Sequence, residues 1–153
     1  MANSLQTFLA EATRTAAKDL EAALFRLPED KRNWSSMGKA RTAMDMVAEC
    51  AILSDPTEIV RTRSFPSGFD FAAFGQSKAD LARDWIAVHA LLMKNVESAV
   101  ATIQSIPEED LAIEVTMPWG KMTLAQIISY PYWNMSYHEA QINYIASMLG
   151  CLE

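Results

Sequence analysis

The stretch MPWGKMTLAQIISYPYWNMSYHEAQINYIASMLG, residues 117–150, decides the fold. Thr123 followed three positions later by Gln126 is a capping box, and Met122 with Ile127 is placed to staple across it, so a helix begins at this point. Leu124, Ile127, Ile128, Pro131, Met135, His138, Ile142, Ile145 and Leu149 recur at helical spacing until Gly150 stops them. Pro131 has no N–H to give the carbonyl four residues earlier, which predicts a kink in the turn before Asn134. Asn134 and His138 lie one turn apart on the same side. His138 falls near the centre of the apolar stripe, so both side chains are expected to point inward.

Working outward, three more helices are expected. Leu5, Phe8, Leu9, Ala12, Ala16, Leu20, Ala23, Leu24 and Leu27 give an amphipathic helix over about Ser4 to Leu27, ended by Pro28. PEDKRNWSSMGK then reads as a connection. A second helix, about Ala40 to Leu53, is apolar nearly all round and is expected to be buried on more than one side. Asp55-Pro56-Thr57-Glu58 restarts a short helix through about Arg63. SFPSGFDFAAFG, with four Phe among turn formers, is expected as a long loop whose rings pack over the bundle. A third long helix runs from about Ser77 to Ile106, with Leu81, Trp85, Val88, Leu92, Val96, Ala99 and Ile103 as its stripe. Alternation over Ile113 to Met117 and a turn at Trp119-Gly120 predict a short β-hairpin-like excursion before the last helix. The fold class is therefore all-α: an up-and-down four-helix bundle forming a single domain over residues 1–153.

Composition narrows the function. A chain of 153 residues supports one core, burying roughly 70% of the unfolded surface. Acids outnumber bases 19 to 13 and the net charge is -6, whereas a phosphate-neutralising face is rich in Lys and Arg, so nucleic acid is not the expected partner. No 18 consecutive apolar residues occur, and MANSLQTFLAEATRTAAKDL has no basic start before an apolar run. A cytoplasmic protein without a membrane span is expected. Cys50 and Cys151 are too far apart to suggest a redox pair, and Cys50 reads as a core thiol. The nine Met residues read as gap fillers, and neither a phosphate-cradling Gly loop nor a Ser-His-acid spacing is present.

Chemistry is left to three positions. Asn134 and His138 interrupt the apolar face of the last helix, and Glu49 is the charged residue of the run Met46 to Leu53, where an acid needs a partner or water. Each has a structural alternative: a satisfied core histidine, an Asn serving carbonyls freed by Pro131, and a Glu at a solvent edge. His89 lies about 55° from the centre of its stripe, on a flank, and Glu139 points away from His138 by about 100° and is expected to be exposed.

Residues 117–150, with a PWG turn, a capped helix and a partly kept His-x3-His-x2-Gln-Ile pattern, resemble the last helix of the DinB/YfiT-like superfamily. WSSMGKARTAMDMVAEC resembles that family's second helix. The resemblance spans essentially the whole chain. It implies a bundle, often a homodimer, holding zinc or nickel on three His in a cleft, with thiol S-transferase activity on a low-molecular-weight thiol in some members. His138 matches one of those ligands, but Asn134 and Glu49 stand where the other two imidazoles belong. A carboxamide oxygen is a poor ligand for such ions. Two functions suit this pattern. One is a divalent-metal enzyme, an S-transferase or hydrolase, on Glu49, Asn134 and His138. The other is a degenerate member with a weakened or absent metal site, binding a small ligand or self-associating, with Trp119, Trp133 and Tyr137 around the cleft opening. The loss of two imidazoles favours the second.

Overall fold

The computed structural model describes residues 4–152. Six α-helices and one hairpin follow one another as α1 (Leu5–Arg26), α2 (Ala43–Leu53), α3 (Thr57–Thr62), α4 (Phe71–Leu81), α5 (Trp85–Ser105), β1 (Glu114–Met117), β2 (Gly120–Thr123) and α6 (Leu124–Met148). The four-helix bundle is α1, α2, α5 and α6. Helix α1 packs chiefly on α6 and α5, and α2 on the same two, so α1 and α2 occupy one diagonal. The connection over residues 27–42 has to cross the bundle end, which is why it is long.

Local chemistry fixes the boundaries. Ser4, Thr42, Asp70, Asp84 and Thr123 each accept from a backbone N–H in the first turn of the helix that follows. The capping box at Thr123 and Gln126 is complete. β1 and β2 pair antiparallel from Glu114 opposite Thr123 to Met117 opposite Gly120, and Gly120 takes φ 132°, which a side chain would resist. α6 then continues unbroken through the buried Pro131.

Two expectations are corrected. The third long helix does not start at Ser77. It divides at residues 82–84 into α4 and α5, because Asp84 caps a new helix by accepting from Ala87 N–H at 3.1 Å. The Leu81, Trp85, Val88 spacing hides this break, since apolar periodicity carries across a three-residue interruption. The segment from Ser64 to Gly75 is not all loop either: Asp70 accepts from Ala72 and Ala73 and starts α4 at Phe71. Its rings pack partly on each other, with Phe69 5.3 Å from Phe65 and 4.8 Å from the exposed Phe71. Smaller shifts put the start of α2 at Ala43 and that of α3 at Thr57.

Two buried clusters fill the bundle. One joins Leu20, Leu24, Val47, Cys50, Leu92, Met135 and Ile142; the other joins Leu9, Val100, Ile103, Val115, Leu124 and Ile128 beneath the hairpin. By length and composition α5 passes for a membrane-crossing helix, but Val88, Leu92, Val96, Val100 and Ile103 spend its apolar stripe on the core. Among the described residues Thr13, in the middle of α1, has the one buried side-chain oxygen without a hydrogen-bond partner. An unsatisfied buried hydroxyl costs about 1–3 kcal/mol. Thr13→Val is therefore expected to raise unfolding stability by about 1 kcal/mol, while Thr123→Ala, which removes a cap, lowers it by about 1 kcal/mol. Urea titrations of both read the two signs directly.

Candidate functional site

Glu49 projects from α2 into its seam with α6, where Asn134 and His138 point inward at 4% and 3% exposure. The two rods bring Glu49 and His138 together: Nε2 of His138 lies 3.1 Å from Oε1 of Glu49. Nδ1 of the same ring lies 2.7 Å from Oε1 of Gln141, one turn further along α6. The other carboxylate oxygen of Glu49 faces Arg41 Nη2 at 2.9 Å and Lys78 Nζ at 3.5 Å. Arg41 also pairs with Asp45, and Lys78 reaches Asp45 Oδ1 at 3.0 Å. Two cations and two carboxylates thus balance around one imidazole, drawn from α2, the residues before it, α4 and α6.

This balance determines protonation. The proton of His138 and the Arg41 guanidinium hold the Glu49 carboxyl at about 2, against the opposing effect of burial. An ionised carboxylate only accepts, so the ring nitrogen facing it must carry a hydrogen. His138 Nε2 therefore has no lone pair free toward the seam.

Asn134 turns elsewhere. Its Nδ2 lies 3.6 Å from Cys50 Sγ, and that thiol faces the Asn134 carbonyl at 3.9 Å. Burial pushes Cys50 far up, aided by Glu49, so it remains a protonated core thiol. His89 is well outside: it is half-exposed, pairs with Glu21 of α1 and lies against Trp85. Glu139 is half-buried rather than exposed, accepting from Asn143 at 3.0 Å on the far side of α6.

A dication does not fit the residues present. Among the described residues no three His, Cys, Asp or Glu side chains converge as ligands. The imidazole is engaged at both nitrogens, Asn134 faces sulfur, and a metal beside Glu49 would meet Arg41 and Lys78. Sequence reasoning missed Arg41, Asp45, Lys78 and Gln141. Arg41, Asp45 and Glu49 stand at four-residue spacing, a signal for one charged helix face. Lys78 comes from an element the sequence merged into another helix and carries no such signal.

One turn beyond the cluster the seam opens. Ile52 and Leu53 of α2, Tyr130 and Pro131 of α6, Ile59 of α3, Phe65 and Phe69 of the loop, and Met117, Trp119 and Met122 of the hairpin are among the walls of an apolar cavity of about 250 Å³. Burial, then Glu49, raise the Tyr130 phenol above its ordinary value, so it stays protonated. A second, more open groove of about 480 Å³ shares Met122 and Tyr130 and reaches Trp133. Trp119 thus belongs to the cavity, its indole N–H donating to Met122 sulfur at 3.3 Å. Trp133 and Tyr137 stack on each other at 5.4 Å on the exposed side of α6.

No family model matches the chain, and no curated protein matches its sequence. Among solved structures, a conserved protein from Enterococcus faecalis superposes with TM-score 0.75 at 14% identity, over 97% of this chain and 99% of that one. The colibactin self-resistance protein ClbS, solved in complex with a dsDNA, superposes with TM-score 0.63 at 17% identity, over 93% and 95%. The chain has the DinB-like fold that these two structures share.

The Glu49 pairing has a pH signature. A carboxyl whose folded value is lowered to about 2 from an ordinary 4.5 adds stability that is fully present above that ordinary value and is lost as pH falls toward 2. Glu49→Gln is expected to be less stable than the parent by about 2 kcal/mol at pH 7. The gap between the two should close as pH drops below the ordinary carboxylate value. Urea midpoints measured over a pH series test this; parallel curves would contradict the pairing.

Proposed function

We propose that this chain is a metal-independent small-ligand binding bundle, and that its ligand is a compact apolar molecule carrying one hydrogen-bond acceptor. The observation that carries this reading is the 250 Å³ apolar cavity next to a polar cluster whose own hydrogen bonds are already satisfied. Ligand sites are typically concave and apolar, with a few polar groups fixing orientation. Tyr130 supplies such a group: its phenol stays protonated at the wall and makes no hydrogen bond to another described side chain. In this reading Glu49 and His138 hold the α2–α6 seam in register and keep the cavity floor rigid, and no metal-bound nucleophile forms there. The chain is assigned to the cytoplasm on its sequence alone. Although ClbS was solved with dsDNA, a net charge of -6 favours a small molecule over a polyanion here.

The test uses naphthalene and 2-acetylnaphthalene, read by quenching of tryptophan emission. Both are expected to bind at one site per chain. Ile59→Trp, which fills the cavity, is expected to weaken both at least about tenfold, and Tyr130→Phe to weaken only the ketone by about tenfold. A 20-base-pair duplex is the comparison probe; binding of the duplex without binding of either naphthalene would overturn the proposal.

The metal side is tested separately. Protein purified without an affinity tag is expected to hold less than about a tenth of an ion per chain after zinc or nickel supply, whereas Glu49→His with Asn134→His gains one. A parent that retains a full ion would sink the metal-independent reading.

A further inference from the structure

The walls of the apolar cavity carry a chemical bias. Among the described residues that line it are two acids, Asp55 and Glu58, and no Lys, Arg or His. Four aromatic rings line it too, those of Phe65, Phe69, Trp119 and Tyr130. Three are contiguous, the Phe65 centroid lying 5.3 Å from that of Phe69 and 5.7 Å from that of Trp119. Ring faces are negative, and a cation within about 6 Å of a centroid is attracted to them.

The two carboxylates differ in what neutralises them. Glu58 is exposed and held by Arg61 at 2.7 Å. Asp55 is half-buried and accepts both Thr57 donors, the N–H at 3.0 Å and the hydroxyl, on Oδ1. Its Oδ2 has no partner among the described residues, and no cation pairs with it. The neighbouring chain has none to spare. Residues 54–70 and 106–123 hold seven acids and three bases, and those bases, Arg61, Arg63 and Lys121, already pair with Glu58, Asp110 and Glu114. Glu49 acts on the same wall from behind: after burial, it is the next cause that raises the Tyr130 phenol.

We infer that the ligand of this cavity is a small organic cation, an alkylated ammonium that sets its positive centre against the Phe65, Phe69 and Trp119 rings and beside Asp55. The inference rests on the small-ligand reading above and adds a charge to it. An anionic ligand would meet the Asp55 charge with no base on the described wall to balance it. A primary ammonium brings three N–H donors, more than so apolar a wall can satisfy. An onium whose hydrogens are replaced by alkyl groups leaves no donor unpaired, and those groups pack on the rings and on the Met117 and Met122 thioethers. The same molecule keeps its acceptor for the Tyr130 phenol.

Two ligands of one shape separate charge from packing: (4-acetylphenyl)trimethylammonium and its neutral isostere 4-tert-butylacetophenone, titrated by calorimetry at low salt and neutral pH. The cation is expected to bind at least about tenfold tighter. Asp55→Asn, which still accepts from Thr57, is expected to cut that ratio at least about fivefold by weakening the cation. Phe65→Leu removes a ring but keeps an apolar side chain; it is expected to cut the ratio at least about threefold, whereas lost packing alone weakens both ligands alike. Phosphatidylcholine vesicles, which present the same onium on a lipid, are expected not to displace the cation, and displacement would assign the site to a membrane surface and overturn the inference. Equal affinities, or a tighter neutral isostere, overturn the charge and leave the small-ligand reading standing. If neither these ligands nor naphthalene binds, both readings fail. A preference that survives both substitutions puts the cation elsewhere on the acidic surface and overturns the inference as well.

Discussion

A carboxylate lowered into the seam between two helices must be neutralised where it stands, and the arrangement of this bundle follows from how Glu49 is neutralised. Removing its charge from water costs several kcal/mol unless partners compensate. Here the compensation comes from three directions: the His138 proton on α6, Arg41 before α2, and Lys78 on α4. Helix α4 has no fully buried residue; Lys78 meeting Asp45 and Glu49, together with the half-buried Leu81 on the core, holds it against α2. One acid therefore ties α2 to α6 and helps to hold α4 against α2.

The same neutralisation sets the chemistry of the seam. A metal centre needs lone pairs aimed at a common point, with negative charge around it. This seam instead aims hydrogens at its carboxylate: Nε2–H, a guanidinium and an ammonium. The cations stand where an added dication would be repelled, and Asn134 spends its amide on a buried thiol. The apolar cavity lies one turn away, where Ile52, Leu53 and Tyr130 replace the charged side chains and the hairpin supplies Met117 and Trp119.

What was legible in the sequence was what is decided locally. The capping box at Thr123, the hairpin before it and the inward turn of Asn134 and His138 depend on residues a few positions apart, and all are present. The break at Asp84 was masked because Leu81, Trp85 and Val88 preserve helical spacing across it; the Asp84 cap was the available signal. The diagonal placement of α1 and α2 and the arrival of Lys78 beside Glu49 are tertiary facts with no local correlate. Glu49 illustrates the boundary: its need for a partner followed from its neighbours, but the identity of two of its three partners did not.

Helix α6 must satisfy three environments at once, and its composition reflects that. One side is core, with Ile128, Met135 and Ile142 fully buried; a second presents Asn134, His138 and Gln141 to α2; a third leaves aromatic rings in water. Charged residues on the first side would cost burial energy, and on the second would disturb the balance around Glu49. Neither constraint forbids Lys or Glu on the third side, where solvent would accept them at little cost. Their replacement there by Trp133, Tyr137 and Tyr144 is thus not dictated by the folding of one chain, in a protein whose other surfaces carry enough acid to reach a net charge of -6.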